Sequence, residues 1–185
     1  MKDFNQYKTD LGFKESSNIY TKVNYAGFMG RYQFGSPRLS DLGYKGTRSN
    51  FLNNPALQEE YFLKHVADYA KRFFPKLTQA KQKHGSWLTL SGIIAYAHLL
   101  GAGQANKWIN SGTDKTDGNG VAGKTYATMF SGYDIPGYVE TGEEISSVAK
   151  GATKIPGLNL GGVKDVLPAI LLIGFILGII YYYKQ

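Results

Sequence analysis

An all-α domain followed by a single C-terminal membrane helix is the architecture this 185-residue sequence predicts. Three observations predict it. Upstream of residue 134, apolar side chains recur at helical spacing behind recognisable helix-start signals, and no pair of alternating apolar runs joined by a tight turn competes with them. Residues 166–183, VLPAILLIGFILGIIYYY, run for eighteen positions without a charge. Between these two regions, residues 135–164 hold six glycines and two prolines with little periodicity, as a tether does.

In chain order, Phe4, Tyr7 and Leu11 set the face of a first helix running to Glu15. Residues 20–34 carry turn residues and aromatics without a helical period, which points to a short irregular or hairpin element. Ser36-Pro37 and Asn54-Pro55 each place a capping side chain before a proline at the first helical position, where its missing N–H costs nothing. The second of these helices spaces Leu57, Tyr61, Val66, Tyr69 and Phe73 near the 3.6-residue period and ends before Pro75. A strongly apolar helix follows from Leu90 to Leu100, closed by Gly101 and Gly103. The expected division is therefore a domain over 1–134, a linker over 135–164 and an anchor over 165–185.

Eighteen residues at about 1.5 Å each make roughly 27 Å of helix, close to a hydrocarbon core of about 30 Å. Tyr181, Tyr182 and Tyr183 supply an interfacial belt before Lys184, with Lys164 and Asp165 at the other end. The first residues, MKDFNQYKTD, have no apolar stretch of a secretory leader, so the expectation is a tail anchor. Lys150, Lys154 and Lys164 before the span outnumber Lys184 after it, which favours the large domain on the cytoplasmic side at insertion.

Composition narrows the function. With 43% hydrophobic and 19% charged residues the chain can bury a core, and with no cysteine it holds neither disulfides, cysteine nucleophiles nor thiolate metal sites. The formal charge is +7, all of it on residues 1–134, which carry seventeen Lys/Arg against ten Asp/Glu. Such a domain suits an anionic polymer or surface. No run of five like charges and no nucleic-acid module appears, so nucleic acid is not the expected partner. His65, His84 and His98 lack metal-type spacing, and Asp114 to Gly120 does not fit a calcium-loop register, so no metal or cofactor is expected and that stretch reads as a polar turn.

Three short features remain: Glu15-Ser16-Ser17 after the first helix, Gly30-Arg31-Tyr32-Gln33-Phe34-Gly35, and Ala95-Tyr96-Ala97-His98 running into Gly101-Ala102-Gly103. Each alone is weak, because a carboxylate at a helix end is most often a solvated surface group. In their order and spacing they resemble the lysozyme-like superfamily of soluble lytic transglycosylases and goose-type lysozymes, over about Asp3 to Gly132. The Glu-Ser pair there supplies the catalytic acid, a Gly-Leu-Met-Gln stretch lines the sugar cleft, and an Ala-Tyr-Asn element sets a tyrosine beside the acid. Glu15-Ser16, Gly30–Gln33 and Ala95-Tyr96 are the matching positions. Ser17 stands where glycine is common, Arg31-Tyr32 replace Leu-Met, and Ala97-His98 replace the asparagine. The Tyr32–Gly35 turn, Asp41–Tyr44 and the alanine-rich helix with histidine also resemble phage-borne members, some of them carried in virions.

The resemblance implies a peptidoglycan-cleaving enzyme acting on the β-1,4 bond between N-acetylmuramic acid and N-acetylglucosamine, with Glu15 catalytic and Ser16, Tyr32, Gln33, Tyr96 and His98 binding substrate. Its implied setting is a membrane-containing bacteriophage particle, anchored in the bilayer by residues 166–183 beside other virion membrane or capsid proteins. Protonating a leaving oxygen requires a carboxyl that holds its proton, so Glu15 has to be desolvated, with Tyr96 holding it by a hydrogen bond and Tyr32 and Gln33 meeting the sugars. His98 either lines the cleft or is a satisfied semi-buried histidine. A two-carboxylate mechanism needs a partner, for which Asp10 and Asp41 are candidates. The transglycosylase route implied by the resemblance needs none, and hydrolysis stays open beside it. The competing reading from another class is a non-catalytic structural protein that keeps a lysozyme-like domain for binding glycan strands.

Overall fold

The computed structural model describes residues 2–138. Residues Met1–Ile135 form one compact unit, separate from Pro136–Gln185. The described residues are helical, with isolated β-bridges and no strand. None of their helices is long and apolar enough to cross a membrane. The linker and the 166–183 span expected from the sequence lie outside the described residues.

Helix α1 (Phe4–Ser16) starts where Asp3 accepts a hydrogen bond from the Gln6 N–H at 2.7 Å. It stops because Ser17 and Asn18 both adopt left-handed backbone, at φ 59° and 62°. Their N–H groups turn back onto the carbonyls of Phe13 and Gly12 at 2.8 and 3.0 Å, which satisfies acceptors the last turn would otherwise leave open. Ser17 thus holds the conformation that makes glycine common at such a position.

The 20–34 segment is an irregular hairpin. Met29 bridges to Val23 on one side and to Phe34 on the other. Gly30 opens its last turn at φ 77°, and a Cβ there would run into the side-chain amide of Gln58. Gln58 is fully buried, accepting from Arg31 N–H at 2.8 Å and donating to the Tyr20 and Phe51 carbonyls, each at 2.9 Å. One glutamine therefore pins the hairpin to the body of the fold.

Helix α2 (Ser36–Asp41) starts one residue earlier than expected: Gly35 is its N-cap, Ser36 is its first residue and makes no side-chain cap bond, and Pro37 is its second. Short α3 (Arg48–Leu52) is capped by Thr47. Helix α4 (Pro55–Phe73) is capped by Asn54, whose side chain accepts from Leu57 N–H at 3.0 Å, and it buries Tyr61, Phe62, His65, Val66, Tyr69, Ala70 and Phe73 along one stripe. A 3-10 turn at Phe74–Lys76 leads into α5 (Leu77–His84). Helix α6 (Leu90–Leu100) buries every residue from Leu90 to Ala97, which is why its sequence is apolar all round. It packs against α4, α7 (Ala102–Ser111) and α8 (Gly123–Met129).

Helices α3, α5, α7 and α8 are additions to the sequence expectation. They have five to ten residues each, too short for periodicity to distinguish them from loops. Gly103, expected to close α6, instead lies inside α7, and Gly101 alone makes the break at φ 84°. The ends of the unit are paired, Lys2 N–H with the Gly132 carbonyl at 3.0 Å and Asp134 N–H with the Lys2 carbonyl at 2.8 Å.

Helices α6 and α8 approach each other closely at Gly92. A Cβ on Gly92 would sit 2.6 Å from the Ala127 carbonyl and against the Ser131 hydroxyl. Alanine gains about 1 kcal/mol of helix propensity, whereas overpacking against backbone costs about 1–3 kcal/mol. Gly92→Ala is expected to destabilise the domain by up to about 2 kcal/mol, read as a lower urea midpoint with an unchanged slope.

Candidate functional site

Glu15 sits on the last turn of α1, one residue before the helix breaks, and its side chain is 14% exposed. The Tyr126 hydroxyl, from α8, donates to Glu15 Oε1 at 2.8 Å. His98, from α6, brings Nε2 to 3.6 Å from the same oxygen and is itself 7% exposed. Three elements distant in sequence converge on one carboxylate.

Burial, reinforced by the Glu15 charge and the bond to it, raises the pKa of Tyr126, so its phenol stays protonated and donates. Burial lowers the pKa of His98, against the opposite pull of Glu15 and the Tyr32 carbonyl. The site therefore places a neutral imidazole and a neutral phenol on one carboxylate at neutral pH.

A cleft of about 510 Å³ is walled by Phe28, Gln33, Phe34, Arg38, His65 and His98 among others, and Glu15 itself is not on its wall. His98 is the residue shared by cleft and carboxylate. Gln33 also lies on the wall, in left-handed backbone at φ 47°, with its amide N–H donating to the Gly30 carbonyl at 2.8 Å. The Gln33 side-chain oxygen is buried and takes no hydrogen bond from the described residues. Phe28, 43% exposed on the same wall, is an aromatic surface that no sequence motif singles out.

Three expected substrate contacts are placed elsewhere. Tyr32 is 0% exposed, stacked on Phe62 with centroids 3.8 Å apart, and its hydroxyl donates to Glu59 Oε1 at 2.8 Å. The same carboxylate accepts from Tyr20 at 2.9 Å, Arg31 at 2.9 Å and Lys8 at 3.2 Å. Although desolvation opposes it, this donor set holds the Glu59 carboxyl below the usual range. Tyr32 cannot stack on a sugar because both ring faces belong to the core.

Tyr96, expected to hold the acid, is buried in a three-ring stack with Trp108 and His84, its ring 4.4 Å from that of Trp108. Tyr126 holds Glu15 instead. Asp114, not Glu15, is the carboxylate that joins burial in raising the Tyr96 pKa.

Ser16 is fully buried, donating towards the carbonyls of Gly12 at 3.1 Å and Arg31 at 2.8 Å and accepting from Ile19 N–H at 3.0 Å. It is a structural tie. Asp10 accepts from Gln6 at 2.7 Å and from Tyr133 at 2.6 Å, and Asp41 is exposed at the end of α2. In the 114–120 turn, Asp117 accepts from the N–H groups of Asn119 and Val121, and Asp114 from that of Lys124.

Two outcomes follow from this geometry. Ser16→Ala releases the Arg31 carbonyl and leaves the Ile19 N–H with only its 3.4 Å bond to the Ser16 carbonyl, so it is expected to cost about 1–3 kcal/mol in a denaturant titration. The folded pKa values of His65, His84 and His98 lie below the unfolded value, so the unfolded chain binds more protons in acid. Their contribution is fully present above the unfolded pKa of about 6.5 and is lost as pH falls through the folded values. Thermal melts from pH 7.5 to 5 should show a falling midpoint, and a flat profile would contradict the burial of His65 and His98.

Compared with protein-family models, with curated proteins and with solved structures, the chain matches none of them.

Proposed function

We propose that the domain cleaves peptidoglycan glycan strands with Glu15 as its acid and base, as a lytic transglycosylase of lysozyme-like type. The observation that carries the reading is the 14% exposed Glu15 carboxylate, held by the Tyr126 hydroxyl at 2.8 Å and next to His98, which lines a cleft of about 510 Å³.

Glu15 first gives its proton to the glycosidic oxygen as the C1–O bond breaks, and the carbonyl oxygen of the substrate's acetamido group takes up the positive charge at C1. The carboxylate then removes the proton of the sugar's own 6-hydroxyl. That oxygen bonds to C1, the acetamido group is released and the 1,6-anhydro product leaves with Glu15 protonated again. Asp10 and Asp41 have no step to perform in this route, in keeping with their engagement or exposure elsewhere.

Phe28 offers a ring to stack on a sugar face, and the unpaired oxygen of Gln33 offers an acceptor to a sugar hydroxyl or acetamido N–H. The net charge of +7 suits an anionic wall polymer. Anchoring through residues 166–183, in the membrane of a bacteriophage particle, would confine cleavage to the membrane's neighbourhood.

The test is mass spectrometry of the sugars released from purified peptidoglycan by the full chain and by Glu15→Gln. The wild type is expected to release anhydro-muropeptides. The variant should lose at least about a hundredfold in rate, the lower end of what a positioned acid supplies. Reducing-end products would replace the transglycosylase route with hydrolysis, and no products from the wild type would overturn the enzymatic reading.

A further inference from the structure

Behind His98 the polar contacts continue in a line. Its Nδ1 lies 3.2 Å from Nε2 of His65, whose own Nδ1 lies 2.9 Å from Nε of Arg38. Arg38 is held in turn by Asp68, Nη2 to Oδ2 at 2.7 Å. These contacts join α2, α4, α6 and α1 in one row ending at Glu15 Oε1.

The direction of the row follows from donor chemistry. A guanidinium can only donate, so His65 Nδ1 must accept and be bare of hydrogen. A neutral imidazole has one N–H, which His65 must then carry on Nε2, facing His98 Nδ1. That nitrogen must accept as well, which leaves the single His98 proton on Nε2, towards Glu15.

We propose that Arg38 is a positioning residue that fixes the tautomers of both histidines, so that N–H donors point in sequence from Arg38 through His65 and His98 to Glu15. The chain has one polarity. A proton added to His98 would place N–H groups face to face between the rings. His65 could relieve this only by moving its hydrogen to Nδ1, against the Arg38 N–H.

The groups facing these rings are Glu15 from α1, the Tyr32 carbonyl of the hairpin, which accepts from His98, Arg38 from α2, His65, Asp68 and Tyr69 from α4, and Tyr126 through Glu15 from α8. Arg48 stands on the cleft wall that both histidines line. Burial together with the Arg38 charge disfavours protonation of both rings, in line with the geometric argument.

The consequence for the reaction rests on the reading of Glu15 as the acid. Oε1 accepts from the Tyr126 hydroxyl at 2.8 Å, and His98 Nε2 stands 3.6 Å from the same oxygen, beyond hydrogen-bond length. A cationic His98 would hold the carboxyl ionised and withdraw its acid function. By keeping the imidazoles neutral, Arg38 keeps a positive charge from forming beside Glu15.

The experiment is nitrogen NMR of the full chain, labelled at histidine and held in detergent micelles at pH 7.5. Hydrogen-bearing and bare ring nitrogens have widely separated shifts. His65 and His98 should each show Nε2–H with bare Nδ1, and Nδ1–H on either would overturn the proposal whether or not the protein has activity. In Arg38→Met, His65 should populate both tautomers, and unchanged tautomers would equally overturn it. Should that variant fail to fold, the wild-type spectrum and Arg38→Lys, which keeps one donor and should keep the tautomers, decide the matter. In glycan cleavage, Arg38→Met should lower kcat roughly tenfold with KM unchanged, the split expected of a group that acts on the chemical step and not on binding. A wild type with the expected tautomers but no cleavage would remove the enzymatic reading and leave the tautomer assignment standing.

Discussion

The hydroxyl of Ser16 ties the last turn of α1 to the backbone of Arg31, and the position of Glu15 depends on that tie. Two consecutive left-handed residues after it stop the helix and send the chain into the hairpin that carries Gln33. Left-handed backbone at non-glycine residues costs energy and persists where surrounding contacts compensate for it. Here Ser16 accepts the Ile19 N–H, and the Asn18 side chain accepts from Arg31 Nε at 2.8 Å. These contacts fix the chain directly after the carboxylate.

The polar interior divides into two systems with different tasks. Around Glu59 a carboxylate is saturated by Tyr20, Tyr32, Arg31 and Lys8, a donor set that keeps it charged and joins α1, the hairpin and α4. Around Glu15 the partners are neutral groups, Tyr126 and His98, and the nearest cation in the chain of contacts is two imidazoles away at Arg38. A carboxyl that must carry a proton cannot sit beside a guanidinium, whereas one that must stay ionised can. Glu59 and Glu15 thus differ in the charge of the groups that hold them, cationic and phenolic at Glu59, neutral at Glu15.

Part of the site is legible in the amino-acid sequence. Glu15 stands out by its place at a helix end, and His98 and Gln33 by their neighbourhood to glycine breaks, and both of the latter line the cleft. Tyr96 is placed beside the acid by resemblance alone. The structure gives that place to Tyr126, thirty residues further on a seven-residue helix without a periodic signature. An aromatic at helical spacing on an apolar helix is ordinarily core, and Tyr96 and Tyr32 both obey that rule. Arg38 and His65 carry no local signal, since their partners lie about thirty residues away.

The sequence by itself determined the helical class, the ends of α1, α4 and α6 and the basic charge of the domain, because caps, prolines and apolar periodicity act within a few residues. It also determined that the one reactive carboxylate candidate closes a helix. Tertiary structure decided which tyrosine donates to Glu15, which aromatics are spent in the core, and how three elements of the fold line up behind His98. Those choices depend on which helix faces pack together, and such contacts between residues far apart in the chain leave no periodic trace along it.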